Sequence, residues 1–242
     1  MKNGFLKVVR NAFFLTGVCY NMLMNIPSDT YATHTVLAKL RRGLKPLEES
    51  AQMIDTVEGQ RPQARKAAVL LPFFERGGDL CLAFIRRAST LRAHSGEIAF
   101  PGGSVDPGDS SLAMTALREA QEEIGLEPQR VEPLGVLEPV FTVVSNYLIT
   151  PVVAYLPQGL GEMHLQQSEV AELLIIPLRE LADPTIAHVE IWQRNGTART
   201  VYFYDCGPYR IWGATGRMLH ALLGLLHSGE WEPRVSLAPA DD

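Results

Sequence analysis

Cysteine is scarce in this chain, and the three residues, Cys19, Cys81 and Cys206, lie far apart in a sequence of 242 residues. No Cys-x-x-Cys pair occurs among them, which argues against a disulfide framework and against the common zinc-binding motifs. Isolated, reduced thiols are typical of proteins in a reducing compartment. We therefore expect a cytoplasmic protein.

Long basic and long apolar runs are also missing. The formal net charge is -5, and no cluster of lysine and arginine offers the surface that duplex nucleic acid requires. An apolar run over residues 12–20 follows three basic residues, but it is too short to span a bilayer. Because no convincing cleavage site follows it, we predict that translation starts near Met24. We expect neither a nucleic-acid partner nor a membrane partner.

Three glutamates form the densest group of charges in the chain. Glu119, Glu122 and Glu123 stand at i, i+3 and i+4 within residues 110–124, where apolar residues recur at helical spacing. The three carboxylates therefore share one helix face, where like charges cost about 0.2–0.5 kcal/mol per pair. Gly125 is placed to end the helix. The helix by itself is consistent with a solvated acidic face or with a site for a hard divalent cation.

A glycine turn lies just before this helix. Residues 98–100 are predicted to form a short strand, and Gly102 and Gly103 follow it. Because they have no side chains, two successive glycines let the backbone approach a ligand closely. The succession of strand, glycine turn and acidic helix favours the cation site over a solvated face.

Together these residues resemble the Nudix box, Gly-x5-Glu-x7-Arg-Glu-U-x-Glu-Glu-x-Gly-U, in which U is apolar. The matching positions are Gly103, Arg118, Glu119, Glu122, Glu123 and Gly125. Asp109 stands where the first glutamate is expected, and residues 110–117 separate it from Arg118 by eight residues instead of seven. We interpret Asp109 as the N-cap of the helix in preference to a part of a metal site. The helix over residues 110–124 is called the box helix below.

The resemblance implies an enzyme that hydrolyses a diphosphate bond with the help of Mg2+ or Mn2+. The metal ligands would be Glu119, Glu122 and Glu123, with the carbonyl of Gly103 as a further ligand. Arg118 would orient a glutamate instead of touching the substrate. A metal bound in this way neutralises charge on the diphosphate and activates a water molecule.

The general base has two candidates. Nudix enzymes often use a glutamate outside the box, and Glu169 stands in the region where the family places one. Glu172 is a rival for the same role. For either residue, a surface glutamate at the entrance of a strand is an equally good interpretation.

The segment before the glycine turn resembles the signature of the coenzyme A pyrophosphatase branch, Leu-Leu-Thr-x-Arg-Ser/Ala-x3-Arg-x3-Gly-x3-Phe-Pro-Gly-Gly. The matching positions are Arg87, Ala88, Arg92, Gly96 and residues 100–103. The opening Leu-Leu-Thr is replaced by Ala-Phe-Ile at residues 83–85. Because the arginine fork suits phosphate oxygens, Arg87 and Arg92 are the candidate substrate contacts, with His94 as a weaker one. An exposed basic loop would have the same composition.

This second resemblance implies that the substrate is coenzyme A or one of its thioesters. The products would be adenosine 3′,5′-bisphosphate and 4′-phosphopantetheine or its acyl form. A late segment, residues 209–215, also resembles a stretch common in this branch. Two alternatives stay open: a hydrolase of ADP-ribose, NADH or nucleoside triphosphates, and a non-catalytic Nudix module that senses a nucleotide. The sequence is also compatible with a homodimer.

Three parts are expected along the chain: an N-terminal extension with one amphipathic helix over residues 1–64, a Nudix domain over residues 65–228 and a polar tail over residues 229–242. The resemblance implies an α/β fold, the Nudix-type α/β/α sandwich with a mixed sheet. The predicted strands are residues 67–74, 79–85, 131–140, 147–155, 170–176, 187–192 and 200–204. The predicted helices besides the box helix are residues 34–49, 177–181 and 211–226.

Overall fold

The computed structural model of the chain describes residues 6–8, 30–50, 63–90, 94–194, 197–227 and 233–237. Its strands, numbered in chain order, are β1 (Leu6–Val8), β2 (Arg65–Arg76), β3 (Asp79–Arg87), β4 (Ile98–Ala99), β5 (Gly102–Ser104), β6 (Glu132–Val136), β7 (Val140–Thr142), β8 (Tyr147–Tyr155), β9 (Val170–Pro177), β10 (Ala187–Arg194), β11 (Thr197–Cys206), β12 (Tyr209–Ile211) and β13 (Arg234–Leu237). Its α-helices are α1 (Thr33–Gly43), α2 (Leu112–Ile124), α3 (Leu178–Leu181) and α4 (Gly213–Leu226). None of the helices in the described ranges is long and apolar enough to cross a lipid bilayer. The predicted start near Met24 and most of the predicted tail lie outside these ranges.

The hairpin of β2 and β3 forms the centre of a nine-stranded mixed sheet. Gly77 and Gly78 make its turn with φ of 61° and 87°, the positive values that a tight primed turn requires. β2 runs parallel to β8, with Arg65 opposite Tyr147, and antiparallel to β3 and β5. β3 is in turn antiparallel to β9 and to the short β4. The predicted mixed sheet is therefore confirmed.

Alternate residues of the central strands point to opposite faces of this sheet and build two cores. Leu82 and Phe84 of β3 belong to a core that also contains the buried residues of α1 and α4. Ala83 and Ile85, between and beyond them, belong to a second core that α2 covers. The faces are called the α4 face and the α2 face below. Because the sheet lies between helices on both sides, the predicted α/β sandwich is confirmed.

A second, four-stranded sheet packs on the α4 face, in the order β12-β11-β10-β13. The β10–β11 hairpin pairs Ala187 with Tyr204, and Tyr204 is fully buried in the α4-face core. The predicted hairpin over residues 187–204 is present with longer strands than predicted. This sheet carries β12 to the end of β3, where the candidate site begins.

Two predicted helix starts are wrong: both helices begin two residues later than predicted. The box helix begins at Leu112, since Ser111 is its N-cap and accepts the N–H of Met114 on its hydroxyl oxygen at 3.1 Å. The last helix begins at Gly213, since Ile211 is the final residue of β12. Helix periodicity alone does not show where such competing contacts stop a helix.

Two other predicted elements are shorter than expected. The predicted strand over residues 131–140 is two strands, β6 and β7, because residues 137–139 lie outside the ladder and Pro139 has no N–H to donate. The predicted helix over residues 34–49 ends at Gly43. Glycine and the nearby proline disfavour its continuation.

Candidate active site

The glycine turn and the box helix meet through a direct hydrogen bond. Gly102, at the start of β5, donates its N–H to Oε2 of Glu123 at 2.9 Å. A side chain would not fit there, because a Cβ at residue 102 would lie 2.3 Å from the carbonyl oxygen of Ala68. The φ of 151° at Gly102 also disfavours any other residue. Glycine is therefore required to bring this backbone onto the Glu123 carboxylate.

Gly103 lies against a second glutamate of the box. A Cβ at residue 103 would lie 2.6 Å from the carboxylate atoms of Glu119. The Glu119 side chain is only 16% exposed, whereas that of Glu122 is 60% exposed. The fold thus brings Gly103, Glu119 and Glu123 together and leaves Glu122 facing solvent beside them.

Arg118 joins these carboxylates into one hydrogen-bond network. Its Nε and Nη2 donate to the two oxygens of Asp109, both at 3.0 Å. Its Nη1 donates to Glu119 at 3.1 Å and to Glu122 at 3.3 Å, and Nη2 also reaches the carbonyl of Ser104 at 3.0 Å. A planar guanidinium held at several points fixes the direction of the carboxylates that it contacts.

The prediction that Asp109 caps the helix is wrong. Its carboxylate is 4% exposed and accepts, besides the Arg118 fork, the hydroxyl of Thr115 and the N–H of Asp106, both at 2.9 Å. Its hydrogen bonds with Arg118 hold the pKa of Asp109 well below its usual range. Ser111 caps the helix instead, because the guanidinium offers Asp109 a stronger, charged partner than the helix amides do.

Burial disfavours the ionised forms of the two inner glutamates, Glu119 and Glu123. Burial raises the pKa of Glu123 to about 8, against the hydrogen bond from the Gly102 N–H and the charge of Arg87; the charges of Glu119 and Glu169 add to the shift. Burial also raises the pKa of Glu119, and the nearby Glu169 adds to that shift. Buried carboxylates with further carboxylates nearby need a positive charge among them to be ionised together at neutral pH.

Arg87, a predicted phosphate contact, lies at the end of β3, where its charge acts on Glu123. Its Nε is buried and has no hydrogen-bond partner among the described residues. A buried donor in that state is unfavourable unless a ligand or water supplies an acceptor. Arg92 lies outside the described residues. His94 lies in an exposed turn, where its Nδ1 is 2.9 Å from Oε2 of Glu97.

Glu169 lies close to the glutamate cluster. It is exposed just before β9, and its carbonyl accepts the N–H of Ala88, the residue after Arg87, at 2.8 Å. Its charge raises the pKa of both Glu119 and Glu123. The β3–β9 pairing therefore places Glu169 and Arg87 at the same end of the sheet.

Glu172 has different surroundings. Its neighbours Leu174 and Ile176 on β9 belong to the α4-face core, and strand alternation places Glu172 on that face too. There its Oε2 accepts hydrogen bonds from Nε of Arg86 and from the hydroxyl of Tyr209, each at 3.0 Å. The sequence-based rivals for the general base thus lie on opposite sides of the sheet's end, and only Glu169 acts on the box glutamates.

The donor atoms around Gly103 suit a hard divalent cation. The oxygens of Glu119, Glu122 and Glu123 are the ligands that Mg2+ and Mn2+ prefer. Burial raises the pKa of both Glu119 and Glu123, so a bound cation would favour their ionised forms. Within the described ranges, no three acidic, histidine or cysteine side chains already converge into a complete cation-binding group.

Sequence reasoning missed one aromatic residue beside the glycine turn. The hydroxyl of Tyr147, at the start of β8, is 2.9 Å from Oγ of Ser104, the residue after Gly103. The guanidinium carbon of Arg65 lies 4.1 Å from the centroid of its ring. No local spacing links these residues, and only the pairing of β8 and β5 with β2 brings them together.

A family model for the NUDIX domain matches residues 64–197, which is more than half of the chain. The chain belongs to the Nudix family. It is a Nudix hydrolase, a diphosphohydrolase, as the resemblance of its box predicts. Dependence on a divalent metal is typical of this family. The Nudix box thus identifies the reaction class, and the contacts above show how this chain arranges it.

Two relatives of this chain carry the name of a Nudix hydrolase. It is 42% identical over 158 residues to an uncharacterized Nudix hydrolase NudL of Photorhabdus laumondii, a match that covers 65% of this chain and 83% of that protein. A NudL protein of Citrobacter koseri is 39% identical over 166 residues, covering 69% of this chain and 85% of that protein. A solved NUDIX hydrolase of Alicyclobacillus acidocaldarius is 24% identical, with a TM-score of 0.40 and coverage of 50% and 82%.

Proposed function

We propose that this Nudix hydrolase cleaves the diphosphate bond of coenzyme A or acyl-coenzyme A with Mg2+ or Mn2+ as cofactor. Water adds across the P–O–P bridge and releases adenosine 3′,5′-bisphosphate and 4′-phosphopantetheine or its acyl form. The observation that carries the proposal is the buried Nε of Arg87 beside the glutamate cluster, which has no hydrogen-bond partner in the part of the chain that the structure describes. Arg87 is also the first arginine of the coenzyme A pyrophosphatase signature.

The metal would be held by the box helix and the glycine turn. The proposed ligands are the oxygens of Glu119, Glu122, Glu123 and Gly103. A metal bound there would neutralise charge on the diphosphate and activate a water molecule. Arg118 holds the Glu119 carboxylate through Nη1, and the Gly102 N–H holds that of Glu123. Both ligands are thus oriented before a metal arrives.

Two further side chains would act on the substrate and the water. Arg87 would donate from Nε to a phosphate oxygen, which supplies the acceptor that this nitrogen lacks among the described residues. Glu169, exposed beside the cluster, would take the proton of the attacking water. A positioned general base contributes about 10²–10⁴-fold to a rate.

A substrate panel tests the proposal. The full-length protein is incubated with Mg2+ or Mn2+ and with coenzyme A, acetyl-coenzyme A, ADP-ribose, NADH or nucleoside triphosphates, and the products are identified by mass. We expect metal-dependent release of adenosine 3′,5′-bisphosphate from the two coenzyme A compounds. Turnover of ADP-ribose with intact coenzyme A would overturn the substrate assignment. Nucleotide binding without hydrolysis would support a sensing module instead.

Two variants test the roles of individual side chains. Arg87→Gln is expected to raise KM for coenzyme A by about 10- to 100-fold, the effect of losing a charged hydrogen bond. Glu169→Gln is expected to lower kcat by about 100-fold or more. Glu162→Gln, an exposed glutamate in the loop before Glu169, is the matched control and should keep wild-type kinetics. Full activity of Glu169→Gln would remove that residue from the mechanism.

A further inference from the structure

We infer that Tyr209, Glu172 and Arg86 form a clamp that positions Arg87 and Glu169 for catalysis. Glu172 is then a positioning residue and not the general base. The inference deepens the proposed function and rests on it, because it uses the roles proposed for Arg87 and Glu169. The three residues are called the Tyr209 clamp below.

The clamp joins three strands through one carboxylate oxygen. Oε2 of Glu172 on β9 accepts Nε of Arg86 on β3 and the hydroxyl of Tyr209 on β12, each at 3.0 Å. The Glu172 side chain is 15% exposed and that of Arg86 is 32% exposed, while Tyr209 packs against the α4-face core. Charge-assisted hydrogen bonds that are largely shielded from water hold their geometry better than surface ion pairs.

The clamp lies on the opposite face of β3 from the active site. Leu82 and Phe84 point to the α4 face, and Arg86, two residues further, points there as well. Arg87 therefore points to the α2 face, where its charge acts on Glu123. One strand end thus carries a structural arginine on one face and a substrate arginine on the other.

The ladder between β3 and β9 is irregular at this point. Arg86 is opposite Glu172, but the next residue, Arg87, is opposite Val170, so one residue of β9 is left without a partner on β3. Such a bulge bends the strand, re-aims side chains and interrupts the pairing. Beyond the bulge, Arg87 is the last residue of β3 and Glu169 is the residue just before β9. Because the bulge interrupts the regular pairing here, an anchor immediately before it would determine where Arg87 and Glu169 point.

β12, which belongs to the four-stranded sheet, supplies this anchor through Tyr209. Tyr209 begins the segment of residues 209–215 that resembles a stretch common in the coenzyme A branch. Its neighbour Arg210 forms a separate, exposed ion pair with Asp205 at 2.6 Å. Arg210 is therefore a matched control for Tyr209. The two residues are adjacent on β12, but Tyr209 belongs to the clamp and Arg210 to an exposed ion pair.

Kinetics of clamp variants test the inference. Tyr209→Phe, Glu172→Gln and the double variant are compared with wild type on the substrate that the panel identifies, well below the melting transition of every variant. Each single change is expected to lower kcat about tenfold, the effect of losing one hydrogen bond to a charged group. The double variant should lose no more than the larger single effect, because one unit is broken in all three.

Two further readouts separate positioning from other roles. Glu172→Gln should keep the shape of the wild-type pH–rate profile, because a positioning residue takes no proton in the reaction. Arg86→Lys should recover most of the kcat that Arg86→Gln loses, since lysine can still pair with Glu172. Arg210→Gln should leave kcat unchanged.

Three outcomes would overturn the inference. A loss of more than about a thousandfold in Glu172→Gln, together with a changed pH–rate profile, would make Glu172 the base. Wild-type kcat in Tyr209→Phe and Glu172→Gln, with lower melting temperatures, would make the clamp purely structural. A wild-type protein inactive on every diphosphate compound would refute the proposed function itself, and with it the roles on which the clamp rests.

Discussion

Asp109 holds Arg118 in place, and its replacement by asparagine is expected to destabilise the fold. The carboxylate is 4% exposed and accepts two hydrogen bonds from Arg118 at 3.0 Å and one each from Thr115 and Asp106 at 2.9 Å. Asparagine keeps the shape, but its amide nitrogen cannot accept from the guanidinium. We expect a loss of about 2–3 kcal/mol. Complete removal of one partner of a buried pair costs about 3–5 kcal/mol, and here Arg118 keeps its glutamate partners.

Urea unfolding at pH 7 measures this loss as a shift in midpoint at unchanged slope. Urea unfolding at lower pH tests whether the loss of stability comes from the charge of Asp109. Hydrogen bonds with Arg118 hold the pKa of Asp109 below its usual value of about 3.9. Stability from a lowered carboxyl pKa is fully present above the unfolded-state pKa and is lost as the pH falls towards the folded-state pKa. The difference in the free energy of unfolding between wild type and Asp109→Asn should therefore become smaller below about pH 4.

Ser111→Ala is the matched control for this experiment. It removes the observed N-cap and should cost about 1 kcal/mol at every pH, since no charge is involved. Asparagine caps helices as well as aspartate does. If Asp109 were only a cap, Asp109→Asn would stay within a few tenths of a kcal/mol of wild type and Ser111→Ala would be neutral. That pair of results would refute the reasoning.

Two further predictions concern the glycine turn and the box helix. Gly102→Ala should destabilise the protein by about 3 kcal/mol in urea unfolding, because its Cβ would lie 2.3 Å from the Ala68 carbonyl oxygen. Gly108→Ala, with nothing within 4 Å of its Cβ, should change little, and equal losses would contradict the argument. Burial raises the folded-state pKa of Glu123 from 4.5 to about 8. The folded protein therefore loses stability as the pH rises through that interval, because the buried carboxyl must ionise. Glu123→Gln should raise the Tm of the metal-free protein at pH 8 by roughly 5 °C and abolish hydrolysis; an unchanged Tm would contradict this.

Local pattern was sufficient for the elements that build the sheet and the end of the box helix. Residues 147–155 form a nearly continuous apolar run with β-branched side chains, and β8 spans these residues. Gly125 ends the box helix with φ of 73°, a position that glycine favours for reasons confined to the helix itself. The start of the box helix depends instead on Arg118, nine residues after Asp109, and the residues around Asp109 give no sign of that partner.

The sequence by itself determined the reaction class, because residues 103–125 resemble the Nudix box and a family model for the NUDIX domain matches the chain; spacing alone places Glu119, Glu122 and Glu123 on one helix face. Only the tertiary structure decided which side chains surround them. It separates Arg86 from Arg87 across the sheet, ties Glu172 to Tyr209 and leaves Glu169 beside the box glutamates. The physical reason is that these contacts depend on strand pairing and on a bulge, which join residues far apart in the chain and are set by packing of the whole sheet.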